Sequence, residues 1–255
     1  MTSMPAVLLV HGAWQSAACW DEVISAFPTL GPRAKAATLT GLGADAARLA
    51  PEIRLSTHIR DVVAAIDSGD EPCVLVGHSY AGMVITGACE QRPVKTLGTV
   101  YVDGFVPLSG QSALQLLPAA IAQTFQSISR EQGGGWRLPA GDFLLDVWGT
   151  RDPAHRARAR QDFSDFTIRC FEETLDLPFE HARSKPRAYI AGGLNHPYPA
   201  RTVFERFVEE ARAGGWLLQQ LDAGHTCELE RPAEVARAIA AFVDRICASL
   251  PAHAR

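Results

Sequence analysis

The stretch Cys73-Val74-Leu75-Val76-Gly77-His78-Ser79-Tyr80-Ala81-Gly82 constrains this chain more than any other. A run of β-branched and apolar residues stops at a glycine. A serine follows between small residues, and helical patterning begins at once. Such a run reads as a strand buried on both faces, which is the signature of a parallel sheet. The serine is expected on a strained strand-to-helix turn, its hydroxyl clear of the sheet edge. Positions two before and two after it must be small in so tight a turn. Gly77 and Ala81 meet that need, with Ala81 standing where the pattern G-x-S-x-G has its second glycine.

The same alternation runs along the chain. Strands are predicted over 6–10, 33–39, 73–76, 97–102, 187–191 and 216–221. Helices are predicted over 18–27, from Ser56 or Thr57 to Ile66, and over 80–90, 199–213 and 232–250. The second helix places Ile59, Val62, Val63 and Ile66 on one face. Ser56 or Thr57 is its expected cap. Apolar strands alternating with amphipathic helices imply an α/β fold, a doubly wound and mostly parallel sheet of about six strands. The rhythm breaks between residues 107 and 185, where the pattern is helical and irregular and no strand is expected. Residues 1–106 and 186–255 are therefore read as the core. Residues 107–185 are read as a helical cap over a pocket, inserted after the strand that ends at Asp103.

With 255 residues, 47% of them hydrophobic, the chain can bury one large core. A net charge of −4 offers no attraction to nucleic acid or anionic membrane. Residues 1–10 lack a basic start and a long apolar run, so no signal peptide is read there. The six cysteines form no C-x-x-C pair, and they are read as reduced thiols in a cytoplasmic protein. The dispersed histidines, among them His58, His155, His181, His196 and His253, show no metal-ligand spacing. Neither a metal nor a cofactor is expected. The expected partner is a small ester-like substrate, and the chain is expected as a monomer or homodimer.

A serine hydroxyl is a weak nucleophile and needs a base, a group to orient that base, and donors for the oxyanion. His225, in Ala223-Gly224-His225-Thr226 after the last strand, is the candidate base. Tyr80 N–H, next to the serine at a helix N-terminus, and Ala13 N–H, after the first strand, are the candidate oxyanion donors. The loop after the penultimate strand, Ala191-Gly192-Gly193-Leu194-Asn195-His196, has no carboxylate. The strand after the elbow helix ends in Tyr101-Val102-Asp103-Gly104, so Asp103 is the candidate acid, with Asp222 and Glu228 as alternatives. Trp14, Phe105, Phe125, Trp136, Phe143 and Trp148, together with the Tyr80 side chain, are the candidate pocket wall.

His11-Gly12-Ala13-Trp14, Gly77-His78-Ser79-Tyr80-Ala81-Gly82 and Gly224-His225 make the chain resemble the α/β-hydrolase superfamily. Within it, Thr38-Leu39-Thr40-Gly41-Leu42-Gly43 and Val102-Asp103-Gly104-Phe105-Val106-Pro107 resemble small bacterial serine esterases related to plant methylesterases and hydroxynitrile lyases. The resemblance implies hydrolysis of a carboxylic ester, lactone or thioester through an acyl-enzyme on Ser79. Those plant enzymes keep their acid after the penultimate strand, and this chain departs from them there. One class of haloalkane dehalogenases has its acid after the earlier strand with a proline four residues on, a spacing that Asp103 and Pro107 match. Hydroxynitrile lyases of this kind carry a lysine after the histidine. Thr226 stands there, which argues against cyanohydrin cleavage. The same three groups could instead serve lyase, acyl-transfer or cyclisation chemistry on a small carbonyl compound, or persist in a receptor-like binding protein.

Overall fold

The computed structural model describes residues 4–195 and 197–249. The readings made on residues 1–3, His196 and His253 lie outside the described residues. Strands run β1 (Ala6–Val10), β2 (Ala34–Ala37), β3 (Cys73–His78), β4 (Thr96–Val102), β5 (Arg137–Leu138), β6 (Phe166–Thr167), β7 (Arg187–Ala191) and β8 (Leu217–Gln220). Six of them form one sheet in the order β2-β1-β3-β4-β7-β8, with every neighbouring pair parallel. The order reverses between β1 and β3, the kind of switch point at which open α/β sheets place their sites.

Helices α1 (Asp21–Ala26), α2 (Leu55–Asp67) and α3 (Ala81–Gln91) belong to the first half. Helices α4 (Ala113–Leu116), α5 (Ala119–Gln132), α6 (Asp142–Trp148), α7 (Pro153–Asp162), α8 (Arg169–Glu172) and α9 (His181–Ser184) lie between β4 and β7. Helices α10 (Arg201–Ala213), α11 (Cys227–Glu230) and α12 (Pro232–Ser249) complete the second half. Helix α2 packs on α3, and α1 packs on α12. The predicted face of α2 is buried at Ile59, Val62, Val63 and Ile66. Each such side chain contributes about 1.5–3 kcal/mol by leaving water.

Several sequence expectations need correction. Helix α2 starts earlier than its supposed cap, at Leu55. Thr57 sits within the first turn, where its hydroxyl accepts the Arg54 N–H at 3.2 Å. Ser56 is taken by Glu173, which accepts its N–H at 2.6 Å and its hydroxyl at 3.0 Å. The predicted 18–27 helix divides into a 3-10 turn over Ala17–Trp20, capped by Ser16, followed by α1. The segment between β4 and β7 does contain strands, the antiparallel pair β5–β6. Two-residue strands are too short to show alternation, so sequence patterning misses them. Among the described residues no helix is long and apolar enough to cross a membrane. Cys19, Cys73, Cys89, Cys170 and Cys227 are free and buried.

Candidate active site

Ser79 lies between β3 and α3 in a left-handed conformation, φ 54°. Its N–H donates to Val102 O at 3.1 Å, and its carbonyl accepts from Gly82 at 3.0 Å and from Phe105 at 3.1 Å. The elbow is thus tied on both sides to the end of β4. A Cβ at Gly77 would come within 2.7 Å of Ala81 O, which explains the first glycine. The second strict requirement falls on Gly82, where a Cβ would overlap the Phe105 carbonyl. Ala81 fits without difficulty, so the departure at that position costs the turn nothing.

Three distant residues meet here. His225 Nε2 lies 2.9 Å from Ser79 Oγ, and His225 Nδ1 lies 2.7 Å from Asp103 Oδ2. A carboxylate only accepts, so the Nδ1–H donates to it, and the Nε2 lone pair faces the serine hydroxyl. His225 and Asp103 are buried, whereas Ser79 is partly exposed. The Asp103 position follows from sheet register. His78 pairs with Val102, so the residues that follow each, Ser79 and Asp103, emerge side by side. Asp103 is also left-handed, φ 43°. Its Oδ1 accepts the Gly192 N–H at 3.3 Å, and its Oδ2 accepts the Tyr198 hydroxyl as well. The loop after β7 therefore sends a donor to Asp103. The alternatives are displaced. Asp222 is exposed, and Glu228 is buried against Gln15, away from the His225 ring nitrogens.

The imidazole is held on all sides. Its backbone N–H donates to Trp148 O at 2.8 Å. The Phe204 ring stacks on it with centroids 4.7 Å apart, and Trp148, Tyr198 and His78 also face it. The loop after β1 comes close on the other side, since a Cβ at Gly12 would lie 3.1 Å from Ser79 Cβ. Among the described residues, neither Ala13 N–H nor Tyr80 N–H donates a hydrogen bond. His11 is structural. Its Nε2 accepts the Leu39 N–H at 3.3 Å, and burial lowers its pKa to about 4. His58 is likewise pushed down to about 4 by burial, and it meets the Tyr80 hydroxyl at 3.1 Å.

The aromatic residues divide into two groups. Trp14, left-handed at φ 64°, packs edge-on to Phe125 and against Trp148, Phe166 and Phe171, and its Nε1–H donates to Leu138 O at 3.1 Å. The Tyr80 ring meets Phe166 and Phe171 from the elbow. Phe105 lies beneath, against Phe204 and Phe207 of α10. Trp136 and Phe143 are not brought to this cluster. Phe143 is 41% exposed on α6, and the Trp136 carbonyl accepts the Ile168 N–H at 2.8 Å. Sequence reading missed Phe166, Phe171, Tyr198 and Phe204, which no motif marks. Among the described residues no three His, Cys, Asp or Glu side chains gather as a metal site.

A parallel sheet with a serine elbow, a histidine loop beyond the last strand and a strand-end carboxylate defines an α/β hydrolase. The model of the alpha/beta hydrolase family matches residues 7–238, and the chain belongs to that family. Its relatives are esterases. It is 32% identical over 244 residues to a carbendazim hydrolyzing esterase from Nocardioides sp. (strain SG-4G), covering 92% of this chain and 98% of that one. It is 31% identical over 130 residues to Methylesterase 2 of Arabidopsis thaliana, covering 49% of this chain and 47% of that one. The fold matches that of an extracellular α/β-hydrolase from a Paenibacillus species, with TM-score 0.78 and 23% identity, covering 93% of this chain and 99% of that one.

Proposed function

We propose that the protein hydrolyses a carboxylic ester, lactone or thioester through an acyl-enzyme on Ser79. The carrying observation is the chain of contacts from Asp103 to His225 Nδ1 at 2.7 Å and from His225 Nε2 to Ser79 Oγ at 2.9 Å. His225 takes the Ser79 proton as the oxygen attacks the carbonyl carbon. The Ala13 and Tyr80 N–H groups, which have no acceptor among the described residues, hold the oxyanion. Tyr80 also stands at the start of α3, whose dipole favours that charge. His225 then passes its proton to the leaving group. Water, deprotonated by His225, releases the acyl group by the reverse sequence. Asp103 keeps the imidazole tautomer and stabilises its cation throughout.

Residues 107–185 act in this reading as a cap. They supply Phe125, Trp148, Phe166 and Phe171 against Trp14 and Tyr80, and an apolar wall of that kind suits an aromatic or acyl group. The relative that carries carbendazim in its name makes that compound a sensible first substrate to try, beside p-nitrophenyl esters of increasing chain length. The acyl-enzyme is the discriminating feature. A fluorophosphonate should label Ser79, as read by mass spectrometry of the modified peptide, and labelling should vanish in His225→Ala. Folded protein that stays unlabelled would overturn the reading in favour of lyase or binding chemistry.

A further inference from the structure

Beneath the base lies a buried polar chain that the hydrolytic steps do not use. Gln15 follows the oxyanion loop, His78 precedes the nucleophile and Glu228 follows the base, and all three are buried. Gln15 Nε2 donates to Glu228 Oε1 at 2.7 Å. Gln15 Oε1 accepts the Gly12 N–H at 3.3 Å and lies 2.8 Å from His78 Nδ1. His78 Nε2 lies 2.9 Å from the His225 carbonyl, and Glu228 Oε1 lies 3.6 Å from His78 Nδ1. Glu228 Oε2 is buried with no hydrogen-bond partner among the described residues. A hydrophobic residue would avoid that desolvation, so the carboxyl is poorly explained by stability alone.

We propose that Gln15 and Glu228 are positioning residues, which with His78 hold the oxyanion loop, the elbow and the base loop in one register. The inference rests on the Ser79 and His225 roles given above. One amide touches all three parts of the site: Gly12 on the first loop, His78 on β3, and Glu228 beyond the base. A shift of any part by about 1 Å would separate groups that must meet within hydrogen-bond distance.

The chain also holds a shared proton. The His225 carbonyl can only accept, so His78 Nε2 carries a hydrogen. With the Gln15 oxygen toward His78, the ring donates from both nitrogens and Glu228 is ionised. With the amide turned over, His78 is neutral and Glu228 protonated, and the Gly12 N–H then faces the amide nitrogen and loses its acceptor. Both arrangements hold the same number of protons. Burial pushes Glu228 up to about 8 and His78 well below its ordinary value, which disfavours the charged arrangement, whereas the Gly12 hydrogen bond is kept only in it. The charged groups acting on Glu228, Glu230 and Asp162, are both acidic, and the buried Cys19 and Cys227 thiols lie near it. On the His78 side stand His225 and His11. Losing the proton therefore leaves a buried anion in acidic surroundings, with the register loosened.

The test compares wild type with Gln15→Leu, Glu228→Leu and Glu228→Gln, by fluorophosphonate labelling rate and by p-nitrophenyl acetate kinetics across pH, with circular dichroism as the folding check. The leucine variants should fold and lose on the order of 10²-fold in kcat and labelling rate with KM little changed. Glu228→Gln should recover most of that loss. Wild-type rates should fall as pH rises past about 8, and Glu228→Gln should lack that fall. Leucine variants that label and turn over like wild type would overturn the inference alone. If they do not fold, an alkaline fall that persists in Glu228→Gln overturns it. A wild type that never labels overturns the acyl-enzyme reading, and the inference with it.

Discussion

Asp103 leaves β4 with φ 43°, Ser79 leaves β3 with φ 54°, and Trp14 follows β1 with φ 64°. Among the described residues only one other non-glycine residue, Glu180, is left-handed. Backbone strain is thus gathered at the strand ends that build the site, each instance costing of order 1–3 kcal/mol. Asp103→Asn should leave the fold intact and lower kcat on the order of 10⁴-fold, because the amide can hold the wrong tautomer of His225. Asp222→Asn should keep the wild-type rate, because Asp222 is exposed and away from the base. The opposite pattern in steady-state kinetics would remove Asp103 from the role proposed. At this scale the sequence was legible where chemistry needs a residue type at a chain position: Ser79 in its turn, His225 after the last strand, Asp103 at a strand end. Gln15, Tyr198 and Phe166 were not legible, because their partners lie far along the chain and no local pattern depends on them.

The β3–α3–β4 unit is where local sequence and tertiary packing meet. Its turn survives only if α3 can lie against the chain leaving β4, and Gly82 is the contact. Gly82→Ala forces a methyl group onto the Phe105 carbonyl, with backbone on both sides and no flexible side chain to give way. The variant should lose about 1–3 kcal/mol or more of stability, read as a lowered Tm. Ala81→Gly should cost only about 0.5–1 kcal/mol, the ordinary penalty for glycine in a helix. Equal melting points for the two variants would contradict this reading of the elbow. Strand β1, strand β7 and the buried face of α2 follow from apolar patterning, since burial on both faces of a sheet or along one helix stripe leaves a run or a period. The start of α2 does not, because Glu173, far away in sequence, takes the serine that resembled its cap.

For the molecule as a whole, buried titratable groups fix a pH for best stability. His11 and His58 have ordinary values of 6.5 and are held near 4 by burial, so the unfolded chain gains their protons first as pH falls below 6.5. Each then costs about 1.4 kcal/mol per pH unit. Glu228 has the opposite sign. Its value is raised from 4.5 to about 8, so stability drains as pH rises between those limits, at the same rate per unit. Below pH 6.5 His11, His58 and His78, which burial also holds down, together outweigh the one carboxyl, and above it the carboxyl acts without them. Urea unfolding should therefore show a maximum near pH 6.5, falling about 1.4 kcal/mol per unit on the alkaline side and about twice as steeply just below pH 6.5. Glu228→Gln should flatten the alkaline side and steepen the acid side, where the carboxyl offsets part of the histidine effect. A stability that still rises from pH 6.5 to 8 in wild type would contradict the neutral, buried state given to Glu228.

The origin of Asp103 in β4 has a consequence for how the molecule meets heat. Ser79 and Asp103 share one βαβ unit at the centre of the sheet, so their spacing is set locally. The base alone arrives from beyond β8, an edge strand with no buried residue. Edges open before centres. Warming should therefore detach the histidine while serine and aspartate still stand together, so that fluorophosphonate labelling is lost below the Tm read by circular dichroism.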